Sequence, residues 1–140
     1  MKILVPVDGS AYSLKAVENA INLAKSNPPS TIILVAAAME VADLAEGRYI
    51  YEKMKAQAET ALAQAKEIAQ GKGITPEVIL ASGPSPAEEI VDVAKKEKAD
   101  LIVIGSRGLG SKTRSFIGST ASKVVTYSPC SVLVVKTQED

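Results

Sequence analysis

The chain has 140 residues, 46% of them apolar, and sixteen Lys and Arg balance sixteen Asp and Glu to a formal net charge of zero. That size and apolar share fill one hydrophobic core without disulfides or a structural metal, so a single domain over residues 1–140 is expected and intrinsic disorder is not. With zero net charge and only 4% aromatics, the chain lacks both the field that holds a phosphate polymer or an anionic membrane and the stacking platforms of single-strand binders, so neither nucleic acid nor membrane is an expected partner.

No His is present, which removes Ser/His/Asp hydrolysis and the His-containing metal sites. The one Cys, Cys130, cannot form an internal disulfide. It sits in the apolar stretch from Pro129 to Val135 and reads as a small buried hydrophobe, with the reducing cytoplasm as the expected compartment. The strand-like run Lys2 to Val7 is interrupted at Asp8, so no apolar segment of a secretory signal is expected. No window of about 18 apolar residues predicts a membrane helix.

Ile3, Leu4, Val5 and Val7 form a short apolar run that ends in Asp8-Gly9-Ser10, a strand followed by a turn and a helix cap. Leu14, Val17, Ile21 and Ala24 then recur at helical spacing to about Ser26, where Asn27-Pro28-Pro29 stops the helix. Thr31 to Ala38 is the second apolar strand. After a less regular stretch from Met39 to about Gly47, the residues Ile50, Met54, Ala58, Ala61, Ala65 and Ile68 mark one face of a long helix that closes at Gly71-Lys72-Gly73.

Pro76 to Ala81 predicts the third strand. Ser85 and Pro86 fit an N-cap and first helical position, with Glu88 and Glu89 in the first turn and Ile90, Val93 and Ala94 facing inward. Leu101 to Ile104 is the fourth strand, Gly105 to Arg114 a glycine-rich polar loop, Ser115 to Tyr127 a fourth helix and Ser131 to Val135 the last strand. Strand and helix alternate throughout, and the strands are continuously apolar, which implies a parallel sheet covered on both faces. The expected fold is therefore α/β and doubly wound, with right-handed crossovers.

In such a sheet, ligands bind beyond the carboxyl ends of the strands, where strand order reverses. Two strand ends are rich in polar and glycine residues: Pro6-Val7-Asp8-Gly9-Ser10, and Gly105 to Arg114 leading into Gly118-Ser119-Thr120. Glycines there let backbone N–H groups approach an anion, a helix starting near Ser115 to Gly118 adds its positive end, and Ser119, Thr120, Arg107, Lys112 and Arg114 add donors and charge. A phosphate chain suits that set, although glycine-rich loops also serve as plain turns. The Walker A spacing fails because Lys112 and Thr113 fall one residue late after Gly110, and the dinucleotide fingerprint fails because Thr113 stands in place of the third glycine.

Gly105-x2-Gly108-x9-Gly118-Ser119 matches the G-x2-G-x9-G-[ST] signature of the universal stress protein family. The opening Ile3-Leu4-Val5-Pro6-Val7-Asp8-Gly9-Ser10 and the closing Ser128-Pro129-Cys130-Ser131-Val132-Leu133-Val134-Val135 resemble that family too, so the resemblance spans essentially the whole chain. It implies a five-stranded sheet of order 3-2-1-4-5 that binds ATP, ADP or AMP, with Mg2+ held through the phosphates and no metal site of its own. By position, Val7 and Asp8 meet the adenosine, the main chain near Ala36 contacts adenine, Gly105, Arg107 and Gly108 flank ribose and phosphates, and Gly118, Ser119 and Thr120 hold the phosphate chain. Asp8 and Ser119 also have a simpler role open to them, as turn or cap residues.

The expected function is a cytoplasmic, stress-related nucleotide-binding regulator that signals through a homodimer, paired along the uninterrupted apolar edge strand Ser131 to Val135. No catalytic residues are assigned, because no positioned general base accompanies the cradle. The alternatives are an adenylating or ATP-pyrophosphatase-type enzyme of the same superfamily, for which the chain has little room to build an acceptor pocket, and an interaction module that binds no nucleotide.

Overall fold

The computed structural model describes residues 1–40, 45–109 and 117–137, without the side chains of residues 45 and 46. In chain order the elements are β1 (Lys2–Pro6), α1 (Ala11–Ser26), β2 (Thr31–Met39), α2 (Ala45–Gly71), β3 (Glu77–Gly83), α3 (Pro86–Glu97), β4 (Leu101–Gly105), α4 (Ser119–Tyr127) and β5 (Ser131–Val135). The strands form one sheet in the order β3-β2-β1-β4-β5, every neighbouring pair parallel. The fold class is the one read from the sequence, and the strand order is the one the family resemblance implies.

The two-residue period of each strand splits the apolar run between two layers. Ile3, Val5, Val7, Ile32, Leu34 and Ala36 point to one face, where Val17 and Ala20 of α1 and Ala61, Ala65 and Ala69 of α2 cover them. Leu4, Ile33, Val35, Ile102 and Ile104 point to the other, against Ile90 and Ala94 of α3 and Ala121 and Val124 of α4. The alanine stripe of α2 packs against this face together with Leu62. Ile50, read as part of that stripe, is exposed instead, while Leu62 and Ala69 are buried members the periodicity passed over.

Several boundaries differ from those read in the sequence. β2 and β3 run on to Met39 and Gly83, paired to the end as Met39 with Gly83. Residues 117 and 118 are not helical, so α4 starts at Ser119 and not at Ser115. Cys130 is half-buried beside the α3/α4 layer, where its N–H donates to Ser128 Oγ at 3.1 Å.

Strand order reverses between β1 and β4, and there the sheet opens. The ladder between them pairs Ile3 with Leu101 and Leu4 with Ile102. Val7 donates its N–H to Val35 of β2 at 2.8 Å, so by the alternation of a parallel strand the preceding residue, Pro6, faces β4, where it has no N–H to give. The proline ends the β1–β4 ladder on the side where a crevice begins.

Candidate functional site

The first wall of the crevice is the β1–α1 turn. Gly9 sits at φ +87, a conformation that glycine adopts at no steric cost, and it reverses the chain directly into α1. Ser10 caps that helix by accepting the Ser13 N–H at 3.2 Å. Asp8 accepts the Ser10 N–H on Oδ1 at 2.9 Å, the turn-forming role that aspartate ordinarily plays.

The second oxygen of Asp8 does something else. It accepts the backbone N–H of Leu109 at 3.0 Å, joining residues 101 positions apart. Gly108 makes that contact sterically feasible, because a Cβ there would lie 2.6 Å from Asp8 Oδ2. Gly105 serves a similar purpose one turn earlier: a Cβ on it would come within 2.7 Å of the Tyr12 carbonyl group, so its bare Cα lets the end of β4 touch the first turn of α1. A Cβ on Gly118 would stand 3.3 Å from Arg107 Cα and Ser106 O. The sequence reading had these glycines making room for an anion; in the structure their space is taken by the protein's own backbone and by the Asp8 carboxylate.

The third element is the start of α4. Gly118 occupies the N-cap position and offers no side-chain hydrogen bond to the helix. Its own N–H already donates to Ser106 O at 2.6 Å, and the first intrahelical bond runs from Ser122 N to Gly118 O at 2.9 Å. The N–H groups of Ser119, Thr120 and Ala121 therefore have no carbonyl partner inside the helix. All three residues line the crevice, with the positive end of the helix dipole behind them. Ala121 was missed by the sequence reading because a helix started at Ser115 puts it well inside.

Between these walls lies a crevice of about 700 Å3. Val7, Asp8, Gly105, Arg107, Gly108, Gly118, Ser119 and Thr120, all singled out in the sequence, line it together. Ala36 is the exception: at 2% exposure it packs into the α1/α2 layer, and its neighbours Val35 and Ala37 face the crevice instead. Met54 and Gln57 of α2 add a further wall: Met54 reads in the sequence as part of an amphipathic stripe, and Gln57 carries no local signal. Gly110, Lys112 and Arg114 lie outside the described residues.

A smaller recess of about 290 Å3 continues the crevice between the starts of α3 and α4, lined by Ser85, Pro86, Ser119, Thr120 and Lys123 among others. The first turn of α3 carries Glu88 and Glu89. The Glu89 carboxylate lies over the Cα of Gly83, where any Cβ would collide with it. Burial, then the charges of Asp92, Glu40 and Glu88, push the Glu89 pKa up from the ordinary glutamate range.

Comparison with known proteins accounts for this arrangement. The model of the universal stress protein family matches residues 1–136. Universal stress protein MJ0531 of Methanocaldococcus jannaschii is 40% identical over 96% of this chain and 81% of its own. Among solved structures, universal stress protein UspA from Lactobacillus plantarum superposes with a TM-score of 0.81 at 30% identity, covering 96% of this chain and 97% of that one. A universal stress protein in complex with cAMP superposes with a TM-score of 0.73 at 27% identity, covering 96% of each chain. The family match runs over nearly the full length and the fold agrees with it, so the chain belongs to the universal stress protein family.

Proposed function

We propose that the crevice binds an adenine nucleotide, ATP foremost, and that the protein acts as a dimeric, nucleotide-dependent regulator in the cytoplasm, built as one domain over residues 1–140. The observation that carries this reading is the start of α4, where three N–H groups without intrahelical partners and two hydroxyl side chains face a crevice whose far end holds a carboxylate. Phosphate and ribose need that pairing of opposite polarities. Helix N–H groups bind phosphate oxygens, and a carboxylate accepts from ribose hydroxyls. The relative solved with cAMP supports an adenine nucleotide as the ligand class.

In this reading Asp8 holds the ribose, Val7 and the main chain at Val35 to Ala37 flank the base, and Arg107 with the backbone at Gly105 and Gly108 borders the ribose and first phosphate. Ser119, Thr120 and Ala121 receive the phosphate chain. Bound ATP brings a divalent cation, Mg2+, on its own phosphate oxygens. In this reading the chain contributes orientation and charge: it contains no His, and the acceptor sites that Asp8 keeps beside its two backbone N–H partners go to the ribose.

Titration calorimetry with ATP and Mg2+ tests the binding, with mass analysis of nucleotide released from the purified protein identifying what it retains. Saturable binding with phosphate release far below the enzyme median of about 10 per second is the expected outcome. Several turnovers per second would make it an ATPase.

The second copy in the proposed dimer docks on β5, which among the described residues pairs with β4 alone and forms one edge of the sheet. Leu133 is 39% exposed at the middle of that edge, and Val125 and Tyr127 of α4 are exposed at 46% and 69%. An apolar edge strand of this kind is a pairing template, and a two-fold related copy covers it with the same strand. Leu133→Lys places a charge on the exposed side chain without entering the core. Light scattering is expected to give a dimer for the unmodified protein and a monomer for the variant; a monomer for both removes the dimer.

A further inference from the structure

We propose that Asp8 is the positioning residue of the phosphate side of the crevice, coupling recognition of the sugar at β1 to the geometry of the segment that follows β4. The proposal deepens the nucleotide reading and rests on it for its binding arm, while its structural arm concerns the free protein.

The bridge is specific in its parts. Asp8 Oδ1 is held by Ser10 N–H at 2.9 Å, and Ser10 is the cap of α1, so the carboxylate is fixed to the start of a rigid helix. Its main-chain N–H donates to Ser13 Oγ at 3.3 Å, a second tie to the same helix. Oδ2 then reaches across the gap where the β1–β4 ladder has ended and takes Leu109 N–H at 3.0 Å. Below that ladder the sheet itself fixes the distance between β1 and β4; above it, the Asp8 carboxylate adds a hydrogen-bonded link to the packing of Gly105 on Tyr12. A charged acceptor makes the stronger kind of hydrogen bond, and the missing side chain of Gly108 leaves the carboxylate its space.

A carboxylate has about four acceptor sites, and two backbone donors leave room for two more. The same group can therefore accept from ribose hydroxyls while it keeps hold of Leu109. Setting the Gly108–Leu109 backbone before the ligand arrives means that binding need not pay to order it, and affinity for the phosphates rises accordingly. The sugar contact and the phosphate contacts then depend on one side chain, although only the sugar touches it.

Two variants approach the bridge from opposite ends. Asp8→Asn turns one oxygen into an N–H2 group that cannot accept, and Gly108→Ala puts a methyl group where Oδ2 lies. A merely ribose-binding Asp8 predicts equal fold-losses for adenosine and ATP in Asp8→Asn and none from Gly108→Ala beyond local crowding. A positioning Asp8 predicts that each variant loses at least tenfold more affinity for ATP than for adenosine. The double variant should lose little more than the worse single, because neighbours sharing one interaction are not additive.

Amide exchange in the nucleotide-free protein supplies the independent readout: the Leu109 N–H is expected to be protected in the unmodified chain and to exchange at least tenfold faster in both variants. Equal losses for the two ligands, or a Leu109 amide as fast in the parent as in the variants, overturn the proposal. Should the parent bind neither adenosine nor ATP, the nucleotide reading falls and the exchange result alone decides whether the bridge exists.

Discussion

Two helices of the same layer, α3 and α4, start side by side at one recess, and they end their backbones in opposite ways. At α3, Ser85 accepts the Glu88 N–H, Pro86 fills the first helical position without an N–H of its own, and Glu88 and Glu89 put carboxylates in the first turn. At α4 there is no side-chain cap and no acid in the first turn, and small hydroxyl residues follow a glycine. Each helix has the same orphan donors and the same positive end to satisfy. In α3 the chain supplies the anions, whereas among the described residues no side chain does so at the start of α4. An omitted cap beside a filled one is the contrast on which the proposed phosphate position rests.

The largest effect expected from this contrast comes from giving α4 what α3 already has. Thr120→Glu places an acid in the first turn of α4 at a partly exposed position, where the dipole favours it by about 0.3–1 kcal/mol. The variant should melt no lower than the parent, yet it should bind ATP at least tenfold more weakly, a loss of about 1.4 kcal/mol or more, because its carboxylate occupies and repels the phosphate position. Thr120→Gln, similar in size and uncharged, should keep most of the affinity. Equal affinities for the parent and Thr120→Glu in calorimetry would mean that no phosphate sits at this helix.

The reciprocal change is smaller and falls on stability. Ser85→Ala removes the α3 cap, and caps of this kind contribute about 0.5–2 kcal/mol. The hydrogen bond is long, 3.5 Å, so the lower end of that range is expected from denaturant unfolding, with ATP affinity unchanged. A change in affinity comparable to that of Thr120→Glu would show that the two helix starts are not separable.

The same contrast explains what could be read in the sequence. Ser10 and Ser85 announce α1 and α3 because a hydroxyl before an amphipathic run is a chemical stop signal, and both helices were placed within a residue or two on that basis. Gly118 sends no such signal, and Ser115 upstream resembles a cap better, so α4 was started four residues early and Ala121 was lost from the site. The strands were legible because apolar runs covered on both faces leave little else to choose. The run Ala36-Ala37-Ala38 has no alternation in size or polarity to reveal which face each side chain takes: that of Ala36 packs into the α1/α2 layer and Ala37 lines the crevice, while the expected contact at Ala36 is one of its main chain. Neither the reach of Asp8 to Leu109 nor the wall supplied by Met54 and Gln57 has any local trace, because each depends on elements far apart in the chain. The motif glycines were found for their spacing, but their reason, room for Tyr12, Asp8 and Arg107, is tertiary.

The smallest expected effect concerns the acids that α3 carries. Glu89 lies in the first turn, where the helix dipole lowers the cost of its charge, yet burial and the neighbouring Asp92, Glu40 and Glu88 outweigh the dipole and raise its pKa. The folded protein thus binds this proton more tightly than the unfolded chain does. Its contribution to stability is greatest below the ordinary glutamate value and is lost as pH rises from there through the raised one. Glu89→Gln removes the titration and should leave the protein slightly more stable than the parent at neutral pH, with a flatter stability profile across that window. The gain stays small because the carboxylate is partly solvated and its neighbours are screened by salt. Denaturant midpoints at pH 4, 5, 6 and 7 read the difference directly, and a parent that gains stability relative to Glu89→Gln on going from acid to neutral pH would show that the dipole, and not the crowd of carboxylates, governs this residue.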